Sequence, residues 1–427
     1  MARTKAQLGS GARLTDFVSA SLLARVYPAQ EVERILNAQG VNSQRVRTLP
    51  AVSGLYFCIA LSLYPEVAYE QVFSVVTQGL SWMSGQQGPG RIAKSSVSQM
   101  RSKLGAAPLS ELLTSCCKVL CDAKRHPEAF FRRYRVMAMD GSRFELPDEP
   151  DNAKVFGYPG SRTGYAGYPQ AQCAVLVECA SHAIVAAHIG ACRQSEWSIC
   201  QPLLAHLDAS MLCLADRGFK GYAQWVEASQ SGAQLLWRCQ VNRKLPVIET
   251  LDDGSYLSMI YPGGVVSTKQ HQASSQGITV RVIEYSLGHA KGDAKGDAKG
   301  DTKGATNAQR YRLLTTLLDD KYAPALELAQ LYHARWEVEA VFDELKTHLV
   351  RTRRVLRSKT AELVRQEFYG WVLAHYAVRW LMHSAATVHR GVARELSFAA
   401  HVQIMRTAWP RSGAFPPRAT KTAKAVV

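Results

Sequence analysis

The chain has 427 residues, and its 51 Lys and Arg residues against 35 Asp and Glu residues give a formal net charge of +16. Hydrophobic residues make up 47% and charged residues 20%, which is typical of a globular protein and excludes a disordered or fibrous chain. The longest apolar run, residues 49–64, is interrupted by Ser53, Gly54 and Ser62 and is shorter than the ~20 residues of a membrane span. No signal-peptide pattern opens the chain, so neither a membrane protein nor a secreted protein is expected.

The positive charge is concentrated at the two ends of the chain. Residues 1–130 carry a net charge of +6 and residues 346–427 carry +12, whereas residues 131–345 carry −2. This distribution is typical of a protein whose terminal regions bind a polyanion while its central region has a different role. A generally basic protein without such a partner is the alternative that the charge alone leaves open.

Residues 1–130 are predicted to form an N-terminal helical domain. Apolar residues recur with helical spacing in four segments, which are 17–26, 30–37, 52–63 and 66–79. Ser95 or Ser96 is expected to cap a helix that carries Arg101, and a short helix over 108–121 follows. The domain would either bind DNA or be a packing domain without a nucleic-acid role.

From Tyr134 the pattern changes to alternating strands and helices, which predicts a mixed α/β core. Strands are expected at 134–139, 171–178, 183–188, 211–215 and 235–241, and helices at 196–208 and 222–230. Residues 242–318 are β-rich, and the Lys-Gly-Asp-Ala repeats within them predict a disordered loop at 290–305. Long helices are expected again at 325–346 and 360–386, before a basic tail that is predicted to be disordered.

Two carboxylates follow hydrophobic strands of this core. Asp140 comes directly after the strand predicted at 134–139, and Asp216 comes directly after the strand predicted at 211–215. Carboxylates that are held on rigid strands suit a hard divalent cation. Aspartate is also a frequent turn residue, so each position alone is open to that simpler interpretation.

A third group of polar residues lies on the helix predicted at 325–346. On an ideal helix, four of them share a stripe about 60° wide and about 20 Å long: Tyr332, Arg335, Glu339 and Lys346. Val338, Val341 and Leu345 cluster on the far flank, where a core would lie. A surface helix with an ion pair between Arg335 and Glu339 is the alternative interpretation. Beside Asp140 and Asp216, however, Glu339 would complete a set of carboxylates for two Mg²⁺ ions, which phosphodiester cleavage uses.

The three groups together closely resemble the catalytic blocks of a known family. The blocks are Asp140-Gly141-Ser142, Asp216-Arg217-Gly218-Phe219 and Tyr332-x2-Arg335-x3-Glu339-x6-Lys346. They are similar to those of bacterial insertion-sequence transposases of the insertion element four family, which carry a Tyr-Arg-Glu-Lys signature. The resemblance spans roughly residues 15–390. It implies an α/β fold in which a β-rich insertion interrupts an RNase H-like catalytic core, between an N-terminal helical domain and a C-terminal helical, basic segment.

The resemblance also implies a domain organisation. The N-terminal domain, 1–130, would bind terminal inverted repeats, and the core would be split by the insertion. The remaining segments would be 131–241 (first part of the core), 242–323 (insertion), 324–390 (second part of the core with the catalytic helix) and 391–427 (basic segment).

The activity that the resemblance implies is cut-and-paste transposition of DNA. Asp140, Asp216 and Glu339 would hold two Mg²⁺ ions, for which Mn²⁺ could substitute. The residues that would contact DNA are Tyr332, Arg335, Lys346 and Arg217. The partners would be double-stranded DNA, at element ends and target sites, and a second copy of the chain in a homodimer, in the bacterial cytoplasm at the nucleoid. A metal-dependent nuclease without strand transfer and a non-catalytic DNA-binding protein derived from a transposase are the alternatives.

Family members that form DNA hairpins are expected to stack a flipped base on a Trp of the insertion. Residues 242–318 contain no Trp, and three Trp residues lie between the second and third carboxylates: Trp225, Trp237 and Trp336. The tyrosines that could replace the missing Trp are Tyr256, Tyr261 and Tyr285.

Overall fold

A computed structural model describes residues 22–43, 49–74, 76, 93–161, 164–165, 167–219, 221–262, 277–287, 309–349, 355–389, 391 and 393–407. The predicted loop at 290–305 and the predicted disordered tail lie outside these residues.

The helices and strands alternate as a mixed α/β protein, with helices at the N-terminal end. The α-helices are α1 (Ala29–Ala38), α2 (Ala51–Leu63), α3 (Lys94–Leu104), α4 (Ala107–Cys116), α5 (Pro150–Phe156), α6 (Glu196–Cys200), α7 (Tyr222–Ser229), α8 (Ala325–Tyr332), α9 (Glu337–Asp343), α10 (Ala361–His389) and α11 (Phe398–Thr407). The strands are β1 (Phe130–Phe131), β2 (Tyr134–Glu145), β3 (Gly160–Ser161), β4 (Gly164–Tyr165), β5 (Gln170–Glu178), β6 (Ala183–Ala191), β7 (Met211–Ala215), β8 (Gln234–Cys239), β9 (Glu249–Thr250), β10 (Tyr256–Ile260), β11 (Ile278–Leu287) and β12 (Gln309–Thr315).

The chain divides into two compact units. Unit 1 consists of residues 1–129, 141–203 and 337–427, and unit 2 consists of residues 130–140 and 204–336. The chain passes from unit 2 into unit 1 within β2, between Asp140 and Gly141.

Unit 2 is built on a large mixed sheet whose strands run in the order β2-β7-β8-β12-β11-β10-β9. The first three are parallel, and the later neighbours are antiparallel. All five residues of β7 are buried, as expected for a strand inside a parallel sheet. The strands predicted at 134–139, 211–215 and 235–241 are confirmed as parts of β2, β7 and β8. The β-rich segment that follows is joined to them by the pairing of β12 with β8.

Unit 1 is mainly helical and also contains the antiparallel hairpin of β5 and β6. Its central element is α10, a helix of 29 residues that is buried along most of its length, as expected for a helix that is apolar on nearly all sides. It packs against α2, α4, α11 and β6. The helix predicted at 360–386 is confirmed. Among the helices in the part of the chain that the structure describes, none has both the length and the apolar character to cross a membrane.

Outside the segment predicted at 325–346, three details of the helix predictions are wrong. The residue before α3 is Ala93, and no side chain caps this helix, so Ser95 and Ser96 lie in its first turn rather than ahead of it. The helix expected at 108–121 ends at Cys116. The helix expected at 196–208 is α6 followed by a 3-10 helix. In each case a local pattern of polar and apolar residues was compatible with a longer or shifted helix.

Gly370 lies at a close approach of α10 to α2, and this contact yields a stability prediction. A Cβ atom at Gly370 would lie 2.6 Å from the carbonyl oxygen of Cys58, which is backbone and cannot rotate away. We expect Gly370→Ala to lower the free energy of unfolding by about 1–3 kcal/mol, as measured by denaturant unfolding. Gly391→Ala is the matched control, because its Cβ would meet nothing within 4 Å. Equal stability of the two variants would contradict the close packing.

Candidate active site

Two carboxylates occupy neighbouring positions on parallel strands of unit 2. Met139 of β2 pairs in register with Ala215 of β7, so Asp140 and Asp216 are the next residues along the two strands. Asp216 follows directly on β7, as predicted. Asp140 does not end its strand, because β2 continues to Glu145, so its interpretation as a strand-end residue is wrong.

Packing within unit 1 explains why β2 continues beyond Asp140 to Glu145. The Gly-Ser pair after Asp140 has the composition of a turn, but Phe144 is buried on the same extended segment. A Cβ at Gly141 would lie 3.3 Å from the carbonyl oxygen of Cys173, so Gly141 suits a close approach of β2 to β5. The glycine therefore permits dense strand packing rather than a turn.

Each of the two carboxylates has a guanidinium group beside it. Nη1 of Arg335 donates a hydrogen bond to Oδ2 of Asp140 at 3.1 Å, and the Arg335 side chain is only 6% exposed. Nη1 of Arg238 lies 3.8 Å from Oδ1 of Asp216. The two cations offset the charge repulsion between carboxylates at neighbouring positions.

Tyr332 lies beside Asp216 in unit 2 and is almost fully buried. Its hydroxyl group donates a hydrogen bond to the carbonyl oxygen of Ala215 at 3.3 Å and lies 3.5 Å from Oδ1 of Asp216. Burial raises the pKa of Tyr332 well above its ordinary value, so the hydroxyl stays protonated and remains a donor. Tyr332 thus contacts the turn that presents Asp216.

The segment that carries the Tyr-Arg-Glu-Lys signature is not one continuous α-helix. After α8 ends at Tyr332, residues His333–Trp336 form a 3-10 helix, α9 follows, and residues Glu344–Leu349 form a π-helix. The predicted single stripe assumed 100° per residue throughout, so it is wrong. Tyr332 and Arg335 belong to unit 2, whereas Glu339 and Lys346 belong to unit 1.

The signature residues of unit 1 differ in their exposure. Glu339 is exposed on α9, while Val338, Val341 and Leu345 are buried, as the sequence predicted. Nζ of Lys346 donates a hydrogen bond to Oγ of Ser142 at 2.6 Å and lies 5.1 Å from the centre of the Phe144 ring. Burial lowers the pKa of Lys346. Lys346 is therefore in contact with Ser142 of the first motif block.

Arg217, the remaining predicted DNA-contact residue, is exposed in the turn after β7. Of the three Trp residues between the second and third carboxylates, Trp225 and Trp237 are buried, whereas Trp336 is 51% exposed. The Trp336 ring lies edge-on to His333 at 5.6 Å between ring centres. Unit 2 therefore presents a basic side chain and a large aromatic ring to solvent.

The donor set of unit 2 suits a divalent cation. Carboxylate oxygens are the ligands that Mg²⁺ prefers, and Asp140 and Asp216 supply two carboxylates at neighbouring positions. Within the described residues, no group of three or more His, Cys, Asp or Glu side chains could hold a metal ion. Arg335 and Arg238 lie beside these carboxylates and balance part of their negative charge.

A group of charged and polar residues in unit 1, buried except for the partly exposed Glu337, was missed by the sequence analysis. We call it the Glu344 cluster, and its members are His182, Glu337, Glu344, His375 and Arg379. Nε and Nη2 of Arg379 donate to the carboxylate of Glu344, and Nε2 of His375 lies 2.7 Å from its Oε2. The available signal was His375 and Arg379, which lie four residues apart on one face of an otherwise apolar helix. Arg238 was also missed, because its partner Asp216 is distant in sequence.

The neutral state of His375 predicts a pH dependence of stability. Burial lowers the pKa of His375 from 6.5 to about 3. As the pH falls below 6.5, the unfolded chain binds a proton at His375 that the folded chain does not bind. The contribution of His375 to the free energy of unfolding is therefore complete above pH 6.5 and declines as the pH falls. We expect a loss of about 2 kcal/mol in the free energy of unfolding between pH 6.5 and pH 5 from this group. Denaturant unfolding at both pH values should show a shallower dependence for His375→Gln, and His389→Gln, at an exposed site, is the control. An unchanged pH dependence in His375→Gln would contradict the assignment.

Comparisons with known proteins agree with these features. Residues 17–114 match the family model described as insertion element 4 transposase N-terminal, and residues 131–377, more than half of the chain, match the transposase DDE domain. The chain is 26% identical over 394 residues to the transposase InsG for insertion sequence element IS4 of Escherichia coli strain K12, which covers 91% of this chain and 82% of that protein.

Two further proteins show weaker similarity. The putative transposase InsZ of Escherichia coli strain K12 is 25% identical over 220 residues, covering 51% of this chain and 71% of that protein. The structure of the piggyBac transposase synaptic complex with hairpin DNA matches with a TM-score of 0.45 at 8% identity, covering 96% of this chain and 85% of that chain. On the family matches, this chain belongs to the insertion element 4 transposases and carries their DDE transposase domain, a polynucleotidyl transferase.

Proposed function

We propose that this transposase moves its insertion element by a cut-and-paste reaction, in which it cleaves DNA at the element ends and joins the freed 3′ ends to target DNA. The observation that carries the proposal is the register of β2 and β7, which makes Asp140 and Asp216 neighbours. The ion pair of Arg335 with Asp140 supports it, because this arginine belongs to the family signature.

The proposed metal ligands are Asp140, Asp216 and Glu339, with Mg²⁺ as the cation and Mn²⁺ as a substitute. Two such ions, when bound, would activate the attacking oxygen and stabilise the leaving oxygen of a phosphodiester. The first two ligands are supported by their neighbouring positions, and Glu339 by its exposure and its place in the signature. Arg335 would balance negative charge at Asp140 as the phosphate approaches.

We assign β2, β7 and β8 to an RNase H-like core and the segment with β9–β12 to the insertion. The parallel order of the first three strands and the positions of Asp140 and Asp216 support this assignment. Within unit 2 the insertion extends the core sheet, because β12 pairs with β8. We propose domain boundaries at residues 130, 241, 323 and 390.

The proposed partner is double-stranded DNA, bound by a homodimer of the transposase at the bacterial nucleoid. Arg217 is exposed beside Asp216 and could reach a phosphate directly. Lys346 would supply a point charge, and Arg335, which is 6% exposed and paired with Asp140, would supply a planar group that can form two hydrogen bonds to a phosphate. Tyr332 is buried, so its contact with the turn at Asp216 supports a positioning role, and its contact with DNA stays a prediction.

Trp336 is the side chain that best fits a stacking partner for an unpaired base. Of the three Trp residues between Asp216 and Glu339, it is the exposed one, and its indole is supported by the edge of His333. Base stacking on an aromatic ring offsets part of the cost of unstacking. A hairpin step would use this residue rather than Tyr285, which stacks on Tyr311.

A single reaction tests the proposed function. Purified protein and Mg²⁺ are incubated with a labelled donor DNA that carries paired element ends, together with a target plasmid. Joined donor–target products are expected, and they should disappear when EDTA replaces Mg²⁺. Cleavage without joined products would instead indicate a nuclease, and binding without cleavage would indicate a non-catalytic DNA-binding protein. Either result would overturn the proposal.

A further inference from the structure

The Glu344 cluster is buried beneath an irregular part of the signature segment. Glu344 is the first residue of the π-helix, which extends to Leu349 and therefore includes Lys346. Glu339 lies five residues before Glu344, on α9. The side chains of Glu344, His375 and Arg379 are each less than one-tenth exposed. Within the cluster, Glu344 thus lies between two signature residues, Glu339 and Lys346, along the chain.

The hydrogen bonds of the cluster specify its protonation state. Nη2 of Arg379 donates to Nδ1 of His182 at 2.6 Å, so this nitrogen is an acceptor and the ring carries its proton on Nε2. Nε2 of His182 then donates to Oε2 of Glu337 at 2.7 Å. Burial lowers the pKa values of both histidines, which keeps them neutral. Arg379 is therefore the cation that balances Glu344.

His182 is itself held in place by its turn. It has a left-handed backbone conformation with φ 59°, which a non-glycine residue adopts only where the surrounding structure holds it. The carboxylate of Glu178 fixes the same turn, because it accepts hydrogen bonds from the backbone N–H groups of Leu120 and Cys121 and from the hydroxyl of Ser181. The turn therefore presents the imidazole ring to Arg379 in one orientation.

A buried ion pair of this kind is weak evidence for stability alone. Removing a carboxylate and a guanidinium from water costs several kcal/mol each, and well-packed apolar residues of similar volume often replace such pairs without loss. Apolar residues, however, cannot form directional hydrogen bonds. Glu344 accepts such bonds from Arg379 and His375, and these bonds fix the orientation of its carboxylate. π-Helical turns are also rare and frequent at functional sites.

We propose that Glu344 is a positioning residue for the transposase reaction. Through its hydrogen bonds to α10, it holds the π turn and thereby fixes the placement of Lys346 relative to Glu339 within unit 1. This inference rests on the proposed roles of Glu339 and Lys346. It predicts that weakening the cluster slows the chemical step and leaves DNA binding intact.

The test is single-turnover cleavage of a labelled element end at increasing protein concentration. Glu344→Gln keeps the shape of the side chain but removes the charge that Arg379 faces. We expect its maximal rate to fall by about 10²-fold, as for a misplacement of about 1 Å at a catalytic group. The protein concentration at half-saturation should stay within about twofold of the wild type. Glu395→Gln, which changes an exposed glutamate of unit 1, is the matched control.

A second variant addresses the possibility that Glu344→Gln does not fold. Arg379→Lys keeps the positive charge but loses the planar fork, and it should show the same separation of maximal rate from half-saturation. The folded fraction is measured by circular dichroism in each case. A rate per folded molecule equal to that of the wild type, in either variant, would overturn the proposal and leave a purely structural role.

Cleavage by the wild type and by Glu339→Gln shows whether a negative result rules out the positioning role of Glu344 or the proposed function itself. If the wild type gives no Mg²⁺-dependent cleavage, or if Glu339→Gln cleaves like the wild type, the proposed function itself fails. If the wild type cleaves, Glu339→Gln does not, and Glu344→Gln cleaves normally, only the positioning role fails.

Discussion

Asp140→Asn is expected to reduce the single-turnover rate of element-end cleavage by at least about 10³-fold, which corresponds to about 4 kcal/mol of activation free energy. The amide keeps the size of the side chain but loses the negative charge that a divalent cation requires. Arg335, which is 6% exposed, would then face a neutral group. The same loss is expected for Asp216→Asn, because the two residues occupy neighbouring positions.

Asp252→Asn is the matched control for these two variants. Asp252 also belongs to unit 2, but its side chain is 86% exposed and its cationic neighbour Lys321 is exposed as well. An exposed ion pair contributes little, so its cleavage rate and stability should match those of the wild type. Thermal unfolding of all three variants verifies that they fold. A folded Asp140→Asn protein with the wild-type rate would exclude Asp140 from the catalytic site.

The second large effect is expected for stability. Arg379→Met removes the cation from a buried carboxylate, and we expect the free energy of unfolding to fall by about 3–5 kcal/mol. The reason is that Glu344 would stay buried without its guanidinium partner, since the side chain is enclosed in unit 1. Denaturant unfolding at pH 7 measures the loss.

The double variant Glu344→Leu/Arg379→Met provides the control. Because it removes both charges together, it should recover most of the stability lost in Arg379→Met. Its cleavage rate should nevertheless stay low, since the directed hydrogen bonds to Glu344 are absent. A double variant less stable than either single variant would show that the two charges do not interact as the structure indicates.

The sequence predicted the strands of this protein well because they are encoded locally. β7 coincides with the segment predicted at 211–215, a short apolar run that is followed directly by Asp216. The motif blocks also identified Asp140 and Asp216 before their neighbouring positions were known. Such features depend on residues that are close together in the chain.

Features that depend on distant residues were not predictable in the same way. The 3-10 helix at His333–Trp336 and the π-helix at Glu344–Leu349 interrupt a pattern that is compatible with one α-helix. Glu344 bonds to Arg379 from a position 35 residues away, and Arg238 lies beside Asp216 only because β8 pairs with β7. A periodicity of 3.6 residues contains no information about these contacts.

The most direct test of the central claim asks whether Asp216 binds the catalytic metal. Asp216→Cys replaces an oxygen ligand by a thiolate, which Mg²⁺ disfavours and Mn²⁺ tolerates better. Element-end cleavage by wild type and variant is measured in each metal under single-turnover conditions. We predict that Asp216→Cys cleaves far more slowly than the wild type in Mg²⁺ and regains activity in Mn²⁺. A ratio of Mn²⁺ to Mg²⁺ rates equal to that of the wild type would contradict the assignment of Asp216 as a metal ligand.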